Sequence, residues 1–374
     1  MSGQPNEAHW ENSQQHEESP PVLASHLVPL ILSCTAIVLS FIELLKYDVP
    51  LTRYVRSLND FQLDHLHNPW LAQLSDIGDR LGRGESLLLV SVLLLVVGYG
   101  LSRSSWKSAG WETLLAHALA GLINNALKHV IGRGRPKFMH AGKSEFAPLS
   151  GSGWDSFPSG HSMASFAVAT VLAVKFPKAR WIVICMACAI AVSRMVRGSH
   201  YLTDVVGGAI LGALVGAVMA HPWKEWRSSL ESALFTVSLP LAACLVFMTT
   251  IGNPPVDDWP MMVLRGVGFV IAFLALTLYV FMRVPSVVLP TYVTRQLVLA
   301  IIGLGIGMFS GAPWVATIIL FACLAHWLRP DSSQREASSV YPRPWQHEAA
   351  VGLAVVLTLY AMSELRGALP MGLG

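Results

Sequence analysis

Three short clusters of polar residues carry side chains able to handle a phosphoryl group. Lys128 is followed, after six residues, by Arg135-Pro136. Pro158-Ser159-Gly160-His161 comes next, and Ser193-Arg194 leads after five residues to His200 and after three more to Asp204. Lys128, Arg135 and Arg194 supply three fixed positive charges, two of them planar forks matched to phosphate oxygens. Ser159 and Gly160 precede His161 at a helix start, where free N–H groups and the helix dipole favour an anion. Asp204 lies four residues after His200. One helical turn would let its carboxylate accept from the imidazole, fix the tautomer and leave the other nitrogen free to attack. His161 can then protonate a leaving alkoxide, because an imidazole titrates near neutral pH.

Each residue type also has an ordinary use. Arg and Lys at helix ends commonly reach for lipid headgroups, and Arg133, Lys137 and Arg197 are read that way or as supports behind the cradle. Ser159 suits a plain N-cap, a role compatible with phosphate binding. His26, His117, His140, His221 and His326 are read as caps or satisfied polar groups. Cys185 and Cys188 make a C-x-x-C inside the apolar run WIVICMACAIAV, where small thiols suit packing better than redox or zinc chemistry.

The elements that must position these clusters are set by composition. Of 374 residues, 53% are hydrophobic and 13% charged, half the charged share of a soluble domain, so lipid is the main solvent. A net charge of +3 without a basic tract excludes a nucleic-acid partner. The polar stretch 1–25 lacks the basic start and apolar core of a cleavable signal and reads as a mobile tail. Spanning helices of about 20 apolar residues are expected near 27–45, 86–102, 110–127, 161–176, 180–196 and 203–221. After the polar joint 223–232, more are expected near 233–251, 261–282, 296–310, 312–328 and 348–365. The fold class is thus all-α, a polytopic helical membrane protein with a six-helix core over 26–222 and a C-terminal extension of roughly five spans over 223–374. The stretch 296–328 contains Ser-Gly-Ala-Pro and fits either two short helices or one broken, partly re-entrant helix. Residues 47–85 alternate apolar and charged residues, as an interfacial helix gating a headgroup would, or as an ordinary outer loop. Residues 138–157 suit a lid or an interfacial anchor.

Counting spans puts all three clusters on one face. With the N-terminus inside, short inner loops hold Arg103, Lys107, Lys175, Lys178, Arg180, Lys224 and Arg227, so the clusters face the periplasm of a bacterial inner membrane.

On these residues, Lys-x6-Arg-Pro, Pro-Ser-Gly-His and Ser-Arg-x5-His-x3-Asp, the sequence resembles the type 2 phosphatidic acid phosphatase superfamily, which also contains vanadium haloperoxidases. The resemblance covers roughly 25–222 and leaves 223–374 unexplained. It implies that His200 forms a phosphoenzyme, Asp204 orients and charges it, and His161 serves as acid and then base. Lys128, Arg135, Ser159, Gly160 and Arg194 would hold the phosphoryl oxygens, with no metal or other cofactor. The expected substrate is a phosphomonoester or diphosphate of a membrane lipid: undecaprenyl diphosphate, phosphatidylglycerol phosphate, phosphatidate or the phosphates of lipid A. A phosphotransferase using a lipid or sugar hydroxyl, and a non-enzymatic lipid-binding or transport protein, are the alternatives. Eleven spans exclude a soluble haloperoxidase.

Overall fold

The computed structural model describes residues 22–57, 69–138, 146–151, 153–252, 258–282, 294–329 and 345–369. In chain order the helices are α1 (Val22–Leu44), α2 (Asp48–Ser57), α3 (Pro69–Leu81), α4 (Gly84–Gly100), α5 (Ser104–Ile131), α6 (Gly160–Lys175) and α7 (Arg180–Val196). They continue with α8 (Leu202–Met219), α9 (Trp226–Gly252), α10 (Trp259–Phe281), α11 (Arg295–Phe309), α12 (Pro313–Trp327) and α13 (Trp345–Glu364). Every span expected from hydropathy coincides with a helix. Most of the expected tail lies outside the described residues, and α1 begins at Val22.

The solvent this bundle was built for is written on its outer face. Leu88, Leu89, Leu93 and Val96 on α4, and Val270, Phe273 and Leu274 on α10, point outward. Ser33, Ser40, Ser238, Thr249 and Thr250 are buried between helices instead. Lipid makes burial of apolar groups unrewarding, so contacts between helices select small residues and local hydrogen bonds. Six helical stretches are long and apolar enough to cross a membrane, and the pair α3–α4, bent by 56°, is a seventh candidate. α6 has only 16 residues, about 24 Å at 1.5 Å per residue. It sits among α4, α5, α7 and α8, so most of its surface meets protein.

The 296–328 stretch is two helices of 15 residues each, α11 and α12, packed on each other across a break at Gly311. Gly311 has φ +79°, a backbone state that glycine adopts without steric cost. Within 47–85 the described parts are helical: α2 and the amphipathic α3, which packs on α7. Residues 58–68 and 139–145, parts of the two stretches considered for gate and lid, lie outside the described residues. Cys185 and Cys188 bear free thiols on the exposed side of α7, so they do not serve the helix packing expected of them.

The closest helix contact sets the site. Gly208, Gly212 and Gly216 form a stripe along α8. A Cβ added there would stand 2.6, 2.2 and 2.4 Å from the carbonyl oxygens of Ser159, Met163 and Ala167 on the α6 side. No larger residue lets the two backbones approach this closely. The stripe locks the starts of α6 and α8, and with them His161 and Asp204, side by side.

The C-terminal helices are not a separate lobe. Ala36, Leu44 and Tyr47 near the end of α1 share one buried cluster with Leu245, Val246, Val315 and Ile319.

Candidate active site

The starts of α6 and α8 meet the ends of α5 and α7 at one end of the bundle, bringing all three clusters together. Backbone hydrogen bonds tie the segments. Ser159 N–H donates to the Asp204 carbonyl at 2.9 Å, Ser156 N–H to the Arg133 carbonyl at 2.9 Å, and Arg135 N–H to the Gly153 carbonyl at 3.0 Å. α5 is stopped by Gly132 at φ +59°. A Cβ there would lie 2.0 Å from the Ala147 carbonyl, so glycine is required on both counts.

His200 lies in the joint before α8, not on it, and this overturns the expected pairing. Its Nδ1 is 2.8 Å from the Ser156 carbonyl oxygen, while the nearest Asp204 oxygen is 3.8 Å away. A carbonyl only accepts, so Nδ1 carries the proton and Nε2 holds the lone pair. The tautomer-fixing partner is therefore the Ser156 backbone. Asp204 supplies charge at slightly longer range, because its oxygens are taken. Oδ2 accepts from the Tyr201 N–H at 2.9 Å and the Ser156 hydroxyl at 2.5 Å. That capping role pulls the carboxylate back over the start of α8. Burial lowers the His200 pKa from its usual 6.5, with nearby Asp204 opposing and Arg135 and Lys128 adding to the effect.

Arg133, read from sequence as a headgroup or supporting residue, is 2% exposed and bridges two buried carboxylates. Its Nη1 donates to Asp204 Oδ1 at 2.6 Å and Thr203 Oγ1 at 2.8 Å, and its Nη2 to Asp48 Oδ2 at 2.6 Å. Asp48, at the start of α2, also accepts from the Thr203 N–H at 2.9 Å and the Thr203 hydroxyl at 2.5 Å. The Tyr201 ring covers the guanidinium at 4.3 Å. Asp48 has no sequence signal, since it belongs to no cluster and sits 85 positions from Arg133.

The remaining cations are grouped by two further acids. Asp155 accepts from Arg135 through both oxygens, at 2.8 and 2.6 Å, and lies 3.8 Å from Lys128 Nζ. The Arg135 hydrogen bonds hold the Asp155 carboxyl down at about 2. Asp79 of α3 accepts from Arg194 at 2.5 Å and from Arg83 at 2.9 Å, and its Oδ1 lies 3.6 Å from His161 Nε2. α3 reaches this position through two glycines. A Cβ on Gly78 would meet Ser193 Oγ at 2.1 Å, and one on Gly82 would meet His161 Cδ2 at 2.6 Å. His161 Nε2 and Arg194 Nε are buried without a hydrogen-bond partner, the state expected of groups kept for an incoming oxygen.

Ser159 is the N-cap of α6: its hydroxyl accepts from the Ser162 N–H at 3.5 Å and from the Ser162 hydroxyl at 3.0 Å. Gly160 follows beside Asn124, with 3.1 Å from a notional Cβ to the amide nitrogen. Among the ordinary histidines, His221 and His326 rest on the Ala217 and Phe235 carbonyls at 2.9 and 2.6 Å, as expected of satisfied polar groups.

The polytopic α-helical bundle thus gathers cations, two histidines and a buried acid at one end. The PAP2 superfamily model matches residues 109–228, and the chain belongs to that superfamily. It is 35% identical over 158 residues to a lipid A 1-phosphatase of Rhizobium johnstonii, covering 38% of this chain and 65% of that protein. It is 33% identical over 161 residues to phosphatidylglycerophosphatase B of Bacillus subtilis, covering 40% and 74%. With a decaprenylphosphoryl-5-phosphoribose phosphatase of Mycobacterium tuberculosis it shares 32% identity over 133 residues, covering 35% and 68%. The match to the first of these thus spans slightly less than two thirds of its length.

Proposed function

We propose that the chain is a membrane lipid phosphatase that removes a phosphomonoester or diphosphate from a lipid through a phosphohistidine on His200. The observation that carries the mechanism is the 2.8 Å contact of Nδ1 with the Ser156 carbonyl, which leaves Nε2 as the lone-pair nitrogen. The names of the relatives support the lipid class.

Nε2 attacks phosphorus as the P–O bond to the lipid breaks, and His161 Nε2 gives its proton to the departing oxygen. Asp79 Oδ1, 3.6 Å from that nitrogen, is the carboxylate beside the proposed acid. Lys128, Arg135 and Arg194 meet the charge building on the phosphoryl oxygens, with the Ser159–Gly160 helix start behind them. In this scheme Asp155 and Asp79 pre-set the cations and yield donors to the substrate. His161, now neutral, takes a proton from water as its oxygen attacks phosphorus; the P–N bond breaks and Nε2 regains its lone pair.

The three relatives act, by their names, on lipid A, phosphatidylglycerophosphate and a polyprenyl phosphoribose. The cradle grips only the phosphoryl group, which fits that breadth. Charge in the short loops supports a multi-pass protein of a bacterial inner membrane with this face in the periplasm.

The test is phosphate release from a panel of purified lipid phosphates, with an alkaline quench to keep the acid-labile P–N bond. A labelled phosphoenzyme is expected in wild type and absent in His200→Ala. Activity retained in His200→Ala ends the mechanism. A labelled lipid in place of free phosphate would make the enzyme a transferase. A reporter fused after Gly160 that reads cytoplasmic would reverse the orientation.

A further inference from the structure

Two arginines of the C-terminal half converge, among the described residues, without an acid. Arg265 lies on α10, and Arg366 lies two residues beyond the end of α13. Both approach the Gly311 turn between α11 and α12. A Cβ on Gly311 would stand 2.9 Å from Arg366 Nη2 and 3.5 Å from Arg265 Cδ. Arg366 Nη2 donates to the Ser310 carbonyl at 3.2 Å, and the Arg265 guanidinium lies 5.5 Å from the Phe309 ring centroid. Beyond these contacts the forks are open. Arg265 Nε, Arg366 Nε and Arg366 Nη1 are buried with no hydrogen-bond partner. Among the described residues no carboxylate pairs with either arginine. Burial and the charge of Arg265 together push the Arg366 pKa down.

Like charges held together in a poorly solvated place repel, and their desolvated donors carry a further cost. An anion with several oxygens relieves both. The location says which anions are at hand. Leu369 N–H donates to the Ile251 carbonyl at 2.8 Å, which ties this corner to the end of α9. Two residues earlier on α9, Thr249 Oγ1 accepts from Tyr47 Oη at 3.2 Å, and Tyr47 directly precedes the Asp48 that holds Arg133. Lys46 lies over the Trp314 ring at 4.9 Å. The pair therefore opens at the same end of the bundle as the catalytic helix ends. Exposed Trp259 and Trp314, at the starts of α10 and α12, mark the depth of the headgroups. At that depth the abundant anion with fork-matched oxygens is a lipid phosphate.

We propose that Arg265 and Arg366 form a second phosphate site, apart from the catalytic cradle, that holds the headgroup phosphate of an anionic lipid. The site belongs to helices outside the matched segment 109–228 and does not depend on the phosphohistidine reading.

The probe is palmitoyl-oleoyl phosphatidylglycerol, a phosphodiester that the proposed reaction does not cleave, added to the purified full chain in detergent and followed by native mass spectrometry. Wild type is expected to retain it at least tenfold more tightly than Arg265→Gln/Arg366→Gln. Arg265→Lys/Arg366→Lys should fall between, and phosphatidylcholine should show no such dependence. Unchanged turnover of a short-chain lipid phosphate by the Gln variant certifies that it is folded. Equal retention of phosphatidylglycerol by wild type and the folded Gln variant overturns the proposal. Arginine-dependent binding of inorganic phosphate, with phosphatidylglycerol held no better than phosphatidylcholine, would overturn the assignment to a lipid.

Discussion

The two ends of this chain treat positive charge in opposite ways. At the proposed catalytic end each of the four cations Lys128, Arg133, Arg135 and Arg194 has a protein carboxylate. Arg133 lies between Asp48 and Asp204, Arg135 and Lys128 share Asp155, and Arg194 rests on Asp79. In the C-terminal half Arg265 and Arg366 share a turn and, among the described residues, no acid. Charges that must stay in place through a reaction are fixed by internal partners, and buried pairs of that kind give geometry more than stability. An unpartnered pair is instead complete only with an anion from outside. The same side chain thus builds a rigid frame in one half and a receptor in the other.

That contrast can be broken experimentally, beginning with the largest effect. His200→Ala should reduce phosphate release by about a thousandfold or more, because the proposed nucleophile itself is gone. Arg133→Met leaves Asp48 and Asp204 facing each other in the interior. It should destabilise by about 3–5 kcal/mol, as loss of one partner of a buried pair does. Arg366→Met should leave the unfolding free energy in detergent within about 1 kcal/mol of wild type, since it strands no acid among the described residues. Equal losses in the two variants would erase the distinction drawn above.

Gly212→Leu tests the helix contact that aligns both histidines. With the Met163 carbonyl 2.2 Å from a notional Cβ, the helices must part, costing about 1–3 kcal/mol and most of the activity. Gly266→Ala on α10, where a Cβ meets nothing within 4 Å, should be silent. Unfolding and turnover measured together check both.

The pH profile is a smaller effect. Burial lowers the His200 pKa below its usual 6.5. Protonation removes the lone pair, so the loss of kcat/KM on acidification should begin below pH 6.5 instead of at it. A profile that already falls at neutral pH would count against a neutral, carbonyl-anchored His200. Smallest of all, Asp155→Asn frees Arg135 and Lys128 from their shared acid. Inhibition by inorganic phosphate should strengthen by roughly two- to tenfold in a competition assay.

Much of this was legible before any coordinates. The apolar runs placed the core of every described helix except α2 and α3, which lie in the amphipathic stretch 47–85, and the break within 296–328 was announced by Ser-Gly-Ala-Pro. The three clusters named Lys128, Arg135, Ser159, Gly160, His161, Arg194, His200 and Asp204, and the bundle delivers all of them to one end. Spacing failed where it assumed a continuous helix. Asp204 is four residues from His200, yet α8 starts only at Leu202, so the carboxylate caps the helix and the Ser156 carbonyl takes the imidazole. Nor could spacing find Asp48, Asp79 or Asp155, whose partners lie 85, 115 and 20 positions away.

By itself, then, the sequence determined that the chain crosses a membrane and which residue types meet at its edge, because hydropathy and motif spacing are local properties. Only the tertiary structure decided which acid holds which cation and which oxygen fixes the His200 tautomer. Those choices depend on angstrom-scale distances between segments remote in the chain. They are set by how closely the glycine faces of α3 and α8 let their neighbours approach.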